Sequence, residues 1–126
     1  MTGVVEPLRL RVLAEETSLG AVRRTLRAWL AEHGTERADD VVLAVNEAVA
    51  NAVEHAGLPR GGVVTVDADV LDDHVRVRVR DHGAWRVAAS DETRGRGLVI
   101  MRAVMDRVDL TSEDGATSVV MSRRLR

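Results

Sequence analysis

Glu47, Asn51 and His55 recur at every fourth position of the sequence, and their side chains are of types that could do chemistry. In a helix with about 100° per residue, Asn51 lies about 40° and His55 about 80° around the axis from Glu47, so all three share one face. A carboxylate can act as a general base, an amide oxygen can bind a hard cation such as Mg²⁺, and an imidazole can donate a hydrogen bond. Because any amphipathic helix has a polar face, the meaning of this pattern depends on the motifs that follow it.

A second candidate site follows an apolar strand pattern. Asp81 and Gly83 come directly after the alternating residues of segment 75–79. A carboxylate at the end of a strand can accept a hydrogen bond from an exocyclic amine such as that of adenine, and the glycine lets a flat ring approach the backbone. An ordinary Asp-x-Gly turn that ends a strand is the alternative interpretation.

A third candidate site is the run Arg94-Gly95-Arg96-Gly97-Leu98, which is predicted to open a helix. Free N–H groups at a helix N-terminus and glycine residues beside them make a cradle for phosphate. Arg94 and Arg96 would supply the positive charge. The alternative interpretation is a flexible loop that carries a solvated charge run.

Composition limits the classes of protein that fit. The length of 126 residues predicts a single domain that spans residues 1–126. A composition with 45% hydrophobic and 30% charged residues is typical of a globular protein. No apolar run approaches the ~20 residues of a membrane span and no signal-peptide pattern opens the chain, so we expect a cytoplasmic protein with no membrane partner. The absence of cysteine excludes disulfides and cysteine zinc sites.

Charge and residue usage exclude further classes. A net charge of −2, with no Tyr or Phe to stack on bases, argues against direct binding of nucleic acid. Lysine is absent, so all 18 basic residues are arginine. A P-loop and the eukaryote-type kinase fold both need a lysine, and so does Schiff-base chemistry. A nucleotide would therefore have to bind in another way.

Hydrophobic periodicity predicts the elements that must position these groups. Alternating segments predict strands at residues 8–12, 64–70, 75–79, 107–110 and 117–125. Apolar stripes predict helices from a cap at Thr17 or Ser18 to Gly34, from Thr35 to 56, and at 98–105, with a hairpin turn at 72–73 and a loop at 81–97. Trp29 falls on the apolar stripe of the first helix and is predicted to be in the core.

The order β-α-α-β-β-loop-α-β-β predicts the fold class. Half-buried alternation indicates a mixed, mostly antiparallel sheet with helices on one face, which is an α+β fold of the two-layer α/β sandwich type. Regular βαβ alternation is missing, so a dinucleotide-binding fold is not expected. The alternation also places three arginines, Arg76, Arg78 and Arg80, on one side of their strand. They form either a solvated outer face or a surface that binds an anionic partner.

Taken together and in this order, the motifs resemble those of the GHKL (histidine kinase-like) ATPase superfamily, and within it the bacterial anti-sigma-factor serine/threonine kinases, over nearly the whole chain. The run Glu47-x-x-x-Asn51-Ala52-x-x-His55 resembles the N-box of this superfamily. Its first glycine box is matched by Asp81-x-Gly83, and its second by Gly95-Arg96-Gly97-Leu98. The segment Gly115-Ala116-Thr117 resembles the family's final-strand segment. The resemblance implies a Bergerat-type ATP-binding fold, with ATP and Mg²⁺ as cofactors.

The resemblance also implies roles for single residues. Asn51 would coordinate Mg²⁺ that bridges the phosphates, and Glu47 would be the general base for a protein hydroxyl or would orient it. Asp81 would accept the adenine amine, and Gly83 would give the ring access. The remaining implied contacts are to the phosphates from Arg94, Gly95, Arg96, Gly97 and the N–H of Leu98, and to the base from Thr117. For His55, a capping or packing role and a phosphate contact both stay open.

Two features depart from the superfamily pattern. Trp85 stands where the first glycine box has its second glycine. Only about ten residues then separate the two boxes, so the ATP lid must be short, and a short lid shields the phosphates poorly. Because of these departures, binding of ATP is more strongly predicted than its turnover.

The function implied by the resemblance is that of an ATP- and Mg²⁺-dependent serine/threonine protein kinase that acts as an anti-sigma factor. It would phosphorylate a STAS-domain anti-anti-sigma partner and bind a sigma factor, and family members usually form homodimers. The alternative is a non-catalytic ATP-binding interaction module, excised from a larger phosphatase or sensor regulator. A third interpretation is the catalytic domain of a histidine kinase. The sequence shows no upstream helix with a phosphoacceptor histidine, and the lid is short, so both features argue against this interpretation.

Overall fold

The computed structural model of the protein describes residues 6–56, 62–81, 91–113 and 116–126, and at residues 55, 56, 91–96 and 113 it describes the backbone alone. The elements are β1 (Leu8–Leu13), α1 (Glu16–Glu32), α2 (Ala38–Ala56), β2 (Val63–Leu71), β3 (His74–Asp81), α3 (Asp91–Val104), β4 (Arg107–Glu113) and β5 (Ala116–Arg124). Their order confirms the predicted order of strands and helices.

The strands form one sheet in the order β1-β2-β3-β5-β4. Each of the four pairings among the described residues is antiparallel. The chain leaves β3 through α3, enters the sheet again at its edge as β4, and returns as β5 between β4 and β3. This crossover brings the end of β3 beside the start of β5. The hairpin between β2 and β3 turns at Asp72, which has a φ of 55°.

The helices cover one face of the sheet, which confirms the two-layer sandwich. α2 is the central helix, and it packs against α1, α3, β2 and β3. The core lies between the layers and includes the buried residues Val22, Leu26, Leu30, Val41, Val45, Val49, Val64, Val66, Val75, Val77, Met101 and Met121. Trp29 also belongs to this core, as predicted, and its indole N–H donates to the carbonyl of Glu6 at 2.9 Å. Within the described residues, the structure contains no helix with the length and apolar character of a membrane span.

The opposite face of the sheet carries the arginines of β3. Arg76 stands directly across from Asp69, and Arg78 across from Asp67. Opposite charges in register across antiparallel strands stabilise each other modestly, by about 0.2–1 kcal/mol a pair. These positions favour the solvated outer face over a surface for an anionic partner.

Three predicted helix starts differ from the structure. α1 begins at Glu16 with Glu15 as its N-cap, so the cap predicted at Thr17 or Ser18 is wrong. Thr17 is already inside the helix, and its hydroxyl instead donates to the Glu15 carboxylate at 3.2 Å. The predicted stop at Gly34 is confirmed, since this residue has a φ of 64°. Glycine adopts that left-handed conformation at little cost.

α2 and α3 both start away from their predicted positions. α2 begins at Ala38 and not at Thr35, with Asp39 and Asp40 in its first turn. α3 begins at Asp91 and β3 ends at Asp81, so the predicted loop at 81–97 is wrong for its first position and its last seven. Its remaining residues, 82–90, lie outside the described residues. Glycine is about 1 kcal/mol poorer than alanine inside a helix, which is why the glycine-rich run reads as a loop. Packing of α3 against α2 overrides that local preference.

An ionic cluster at the N-terminal end of α2 fixes this helix to the sheet. Arg123 of β5 donates to Asp106 at 2.9 Å and to Asp40, in the first turn of α2, at 3.4 Å. Asp106 also accepts the backbone N–H of Arg124 at 2.8 Å. That backbone hydrogen bond, with the Arg123 guanidinium beside it, lowers the pKa of Asp106 from its ordinary value of 3.8.

Candidate nucleotide site

A cleft, open to solvent at its mouth, lies between α2, α3 and strands β3, β4 and β5. Like small-molecule sites, it is mostly apolar with a few polar groups. It is lined by Ala48, Asn51, Ala52, Val79, Asp81, Leu98, Met101, Leu110, Thr117 and Val119. Four of these are predicted site residues, namely Asn51, Asp81, Leu98 and Thr117.

Asp81 and Thr117 form the polar floor of the cleft. They are the last inward residue of β3 and the first of β5, and they stand directly opposite each other in register. Such a pair has Cβ atoms about 4.5–5.5 Å apart. Asp81 is 2% exposed and Thr117 is 7% exposed. An ionised carboxylate only accepts hydrogen bonds, whereas a hydroxyl accepts and donates, so the pair can bind the polar edge of a flat ring.

A serine that the sequence analysis missed lies beside this polar floor. Ser112 of β4 lies opposite Thr117 in register, and the two hydroxyl oxygens are 3.4 Å apart. The alternation of β4 could have indicated it, because Ser112 is in phase with Val108 and Leu110, whose apolar side chains face the helices. The result is a row of three polar side chains across three neighbouring strands.

The walls of the cleft are apolar and were also missed. Ala48 and Ala52 flank Asn51 on the surface of α2, and their small side chains leave room for a flat ring. Met101 is buried on the other side, and Leu110 is 38% exposed at the mouth. Helical and strand periodicity could have found the first two, as neighbours of Asn51 at i−3 and i+1. The long-range neighbours Met101 and Leu110 give no local signal.

Asn51 lies at the edge of the cleft in contact with Gly97 of α3. A Cβ at position 97 would stand 2.6 Å from Nδ2 and 3.2 Å from Oδ1 of Asn51. A side chain larger than glycine at position 97 would therefore require the Asn51 amide to move. The Asn51 amide is accordingly held at the cleft by the backbone of α3.

The second glycine box lies inside α3 and not at its start. Because α3 begins at Asp91, Gly95, Gly97 and Leu98 fall in its second turn. After the first turn, the N–H groups of a helix are bonded within it. The side chains of Arg94, Arg96 and His55, and all of Gly83, Trp85 and Gly115, lie outside what the structure describes. The roles predicted for these residues stay predictions.

Glu47 lies one turn before Asn51 on α2, half-buried and beyond the apolar lining of the cleft. Its neighbour Asn46 accepts a hydrogen bond from Arg23 of α1 at 2.8 Å, which ties the two helices together beside it. The carboxylate is thus at the rim, where a group on another protein could reach it.

Among the described residues, no three acidic, histidine or cysteine side chains come together to hold a metal. Mg²⁺ often takes only one or two protein ligands and completes its octahedron with waters and substrate phosphates. The oxygen of Asn51 fits that role, because it is a hard donor at the edge of the cleft.

The structure is thus an α+β sandwich with an apolar cleft, a buried acid and hydroxyl at its floor and an asparagine at its edge, an arrangement that could bind a flat polar ligand. Residues 12–123 match the family described as histidine kinase-like ATPase domain. The chain therefore belongs to that family, and the resemblance drawn from its motifs is confirmed.

Its relatives include named regulators. The chain is 30% identical over 132 residues to the anti-sigma F factor of Clostridium acetobutylicum, a match that covers 93% of this chain and 92% of that protein. It is 31% identical over 133 residues to the serine-protein kinase RsbW of Listeria innocua, covering 92% and 84%. A crystal structure of RsbU and RsbW domains from Mycobacterium tuberculosis superposes with a TM-score of 0.79 at 31% identity. That match covers 95% of this chain and 32% of the other.

Proposed function

We propose that the protein is an ATP- and Mg²⁺-dependent serine/threonine protein kinase that acts as an anti-sigma factor. It phosphorylates a STAS-domain anti-anti-sigma protein, binds a sigma factor, and works in the cytoplasm as a homodimer. The observation that carries the proposal is the buried pair Asp81 and Thr117 at the floor of the cleft, with Asn51 at its edge. Full-length similarity to an anti-sigma F factor and to a serine-protein kinase supports it.

Adenine occupies the apolar part of the cleft in this proposal. Its ring packs between the alanines of α2 and the side chains of Met101 and Leu110. Asp81 accepts the exocyclic amine, and Thr117 binds the neighbouring edge of the ring. Burial strengthens both hydrogen bonds, because little water competes for them.

The phosphates extend from the cleft toward Asn51 and the N-terminal part of α3. Bound Mg²⁺ would be held by Asn51 and phosphate oxygens, and would neutralise charge as it develops. The N–H groups of Gly97 and Leu98 can bind phosphate only if α3 starts closer to them than Asp91, so nucleotide binding is expected to shorten this helix. The glycines at 95 and 97 lower the cost of unwinding. Arg94 and Arg96 supply positive charge.

Phosphoryl transfer takes place at the rim. The hydroxyl oxygen of a serine or threonine attacks the γ-phosphorus as the bond to the ADP oxygen breaks. Glu47 orients this hydroxyl and takes its proton. The position of Glu47 outside the apolar cleft suits this role, since the substrate is the side chain of a protein.

The test is phosphate transfer from labelled ATP to STAS proteins of the same genome. The wild type is expected to label one of them, and Glu47→Ala should lose the label while it keeps ATP affinity. Glu54→Ala is the matched control, because Glu54 is an exposed carboxylate two turns further along α2. Transfer that survives Glu47→Ala would reject the role of Glu47.

A non-catalytic ATP-binding module is the second candidate. The similar region in the Mycobacterium tuberculosis structure is 32% of its chain, so a domain of this fold can belong to a larger regulator. Trp85 in the first glycine box and the short lid agree with this candidate. Tight ATP binding with no transfer to any STAS protein would select this candidate over the kinase.

A further inference from the structure

Three polar side chains form a row across three neighbouring strands, and two of them, Asp81 and Thr117, line the cleft. Asp81 of β3 is opposite Thr117 of β5, and Thr117 is opposite Ser112 of β4. The first two are buried, whereas Ser112 is exposed on the edge strand. Thr117 is therefore the central member of the row, between a carboxylate and a second hydroxyl.

Ser112 and Thr117 are close enough to interact. Their hydroxyl oxygens are 3.4 Å apart, and either can be the donor. The distance is long for two hydroxyls, for which about 2.7–2.8 Å is usual, but a small rotation about either Cα–Cβ bond shortens it. Ser112 is exposed and lies outside the lining of the cleft, so a base in the cleft leaves its hydroxyl able to turn the proton toward Thr117.

We propose that Ser112 is a positioning residue that makes Thr117 a hydrogen-bond donor and so helps the site to select adenine. The inference rests on the proposed binding of ATP. A hydroxyl has one proton and two lone pairs. When Ser112 donates to Thr117, it occupies one lone pair and leaves the Thr117 proton for the ligand. A hydroxyl that accepts one hydrogen bond also donates a stronger one.

Adenine fits this arrangement, and bases with a carbonyl do not. The edge of adenine presents an amine that donates and, beside it, a ring nitrogen that accepts. Asp81 takes the amine, and the Thr117 proton meets the ring nitrogen. Hypoxanthine and guanine present a carbonyl and a ring N–H at the same two places. A carboxylate cannot donate to the carbonyl, and a donating Thr117 opposes the N–H.

Two isosteric variants isolate the Ser112 hydroxyl. Ser112→Thr keeps it, whereas Ser112→Val has the same shape without it. Binding of ATP and of inosine triphosphate is measured by calorimetry for both variants and the wild type. Ser112→Val is expected to bind ATP about threefold to tenfold more weakly, the range for one net hydrogen bond, and inosine triphosphate almost unchanged. Ser112→Thr should keep the wild-type preference.

The control is Thr111→Val, which removes a hydroxyl from the neighbouring position of β4. Thr111 is opposite Ser118, on the other face of the sheet, and its change should alter neither affinity. If Ser112→Val lowers both affinities equally, or neither, the inference is wrong while the proposed function stands. If the wild type binds no ATP, both are overturned.

Discussion

Gly97 of α3 packs directly on the side-chain amide of Asn51 in α2. A Cβ at this position would stand 2.6 Å from Nδ2 and 3.3 Å from Cγ, so the whole amide would have to move. Asn51 also lines the cleft. This contact therefore restricts where the side chain of the proposed magnesium ligand can point.

Gly97→Ala is expected to weaken ATP binding tenfold or more without unfolding the protein. The new methyl group displaces the Asn51 amide, while alanine itself favours the helix by about 1 kcal/mol and offsets part of the strain. Calorimetry with MgATP and thermal unfolding of the free protein measure the two effects separately.

Gly20→Ala in α1 is the matched control for this variant. A Cβ there would meet only arginine side chains, the nearest atom 3.3 Å away. The same substitution in a helix should therefore leave MgATP binding unchanged. Wild-type affinity in Gly97→Ala would contradict the contact with Asn51 as a determinant of the site.

Asn51→Ala should abolish the part of ATP binding that depends on Mg²⁺. The amide oxygen is the ligand that the protein contributes, and alanine cannot replace it. ATP affinity is measured with Mg²⁺ and again with a chelator, and the variant should show the same weak binding in both. Asn46→Ala, whose side chain bonds Arg23 away from the cleft, should keep the dependence on Mg²⁺. A variant at position 51 that still responds to Mg²⁺ would reject the metal role.

The local signals of the sequence predicted most of the fold and part of the site. Alternation located every strand, and the predicted residues Asn51, Asp81, Leu98 and Thr117 do meet in one cleft. The phase of Ser112 with Leu110 could have placed it on the inner face of the sheet, but its pairing with Thr117 depends on register, which is a non-local property. The start of α3 was wrong for a related reason.

In that helix, the local preference of Gly95 and Gly97 is opposed by packing against α2. Propensity favours a loop, but glycine at 97 is also what lets the helix approach Asn51. A residue type that disfavours a helix locally can thus be required by its tertiary contact. Sequence periodicity reflects the local preference of glycine, but it contains no information on the tertiary contact.

Asp106→Asn is expected to lower stability slightly at neutral pH and not at all in acid. The pKa of Asp106 is lowered in the folded protein, chiefly by the backbone N–H of Arg124. A carboxyl with a lowered folded pKa stabilises the fold above its unfolded value, near 3.8, and loses that contribution as the pH falls through the folded pKa. Because the group is partly exposed to solvent, the effect at neutral pH should be at most about 1 kcal/mol.

Urea unfolding at neutral pH and below pH 3 measures this difference. Asp109→Asn is the control, since Asp109 pairs with Arg107 on its own strand and makes no link to α2. A loss of stability in Asp106→Asn that is equal at both pH values would show that its ionisation is not the cause.

Asp81→Asn should weaken ATP binding about tenfold to a hundredfold, as expected for one hydrogen bond to a charged group in a buried site. The amide still fits the space, but it presents a donor where the carboxylate only accepts, and the adenine amine needs an acceptor. Inorganic triphosphate is the matched ligand, because it reaches the phosphate subsite and has no base. Its affinity should fall by less than twofold.

Because Asp81 is buried on β3, thermal unfolding without ligand must first show that the variant is folded. Equal losses for ATP and triphosphate in the folded variant would mean that Asp81 supports the cleft as a whole and does not read the base.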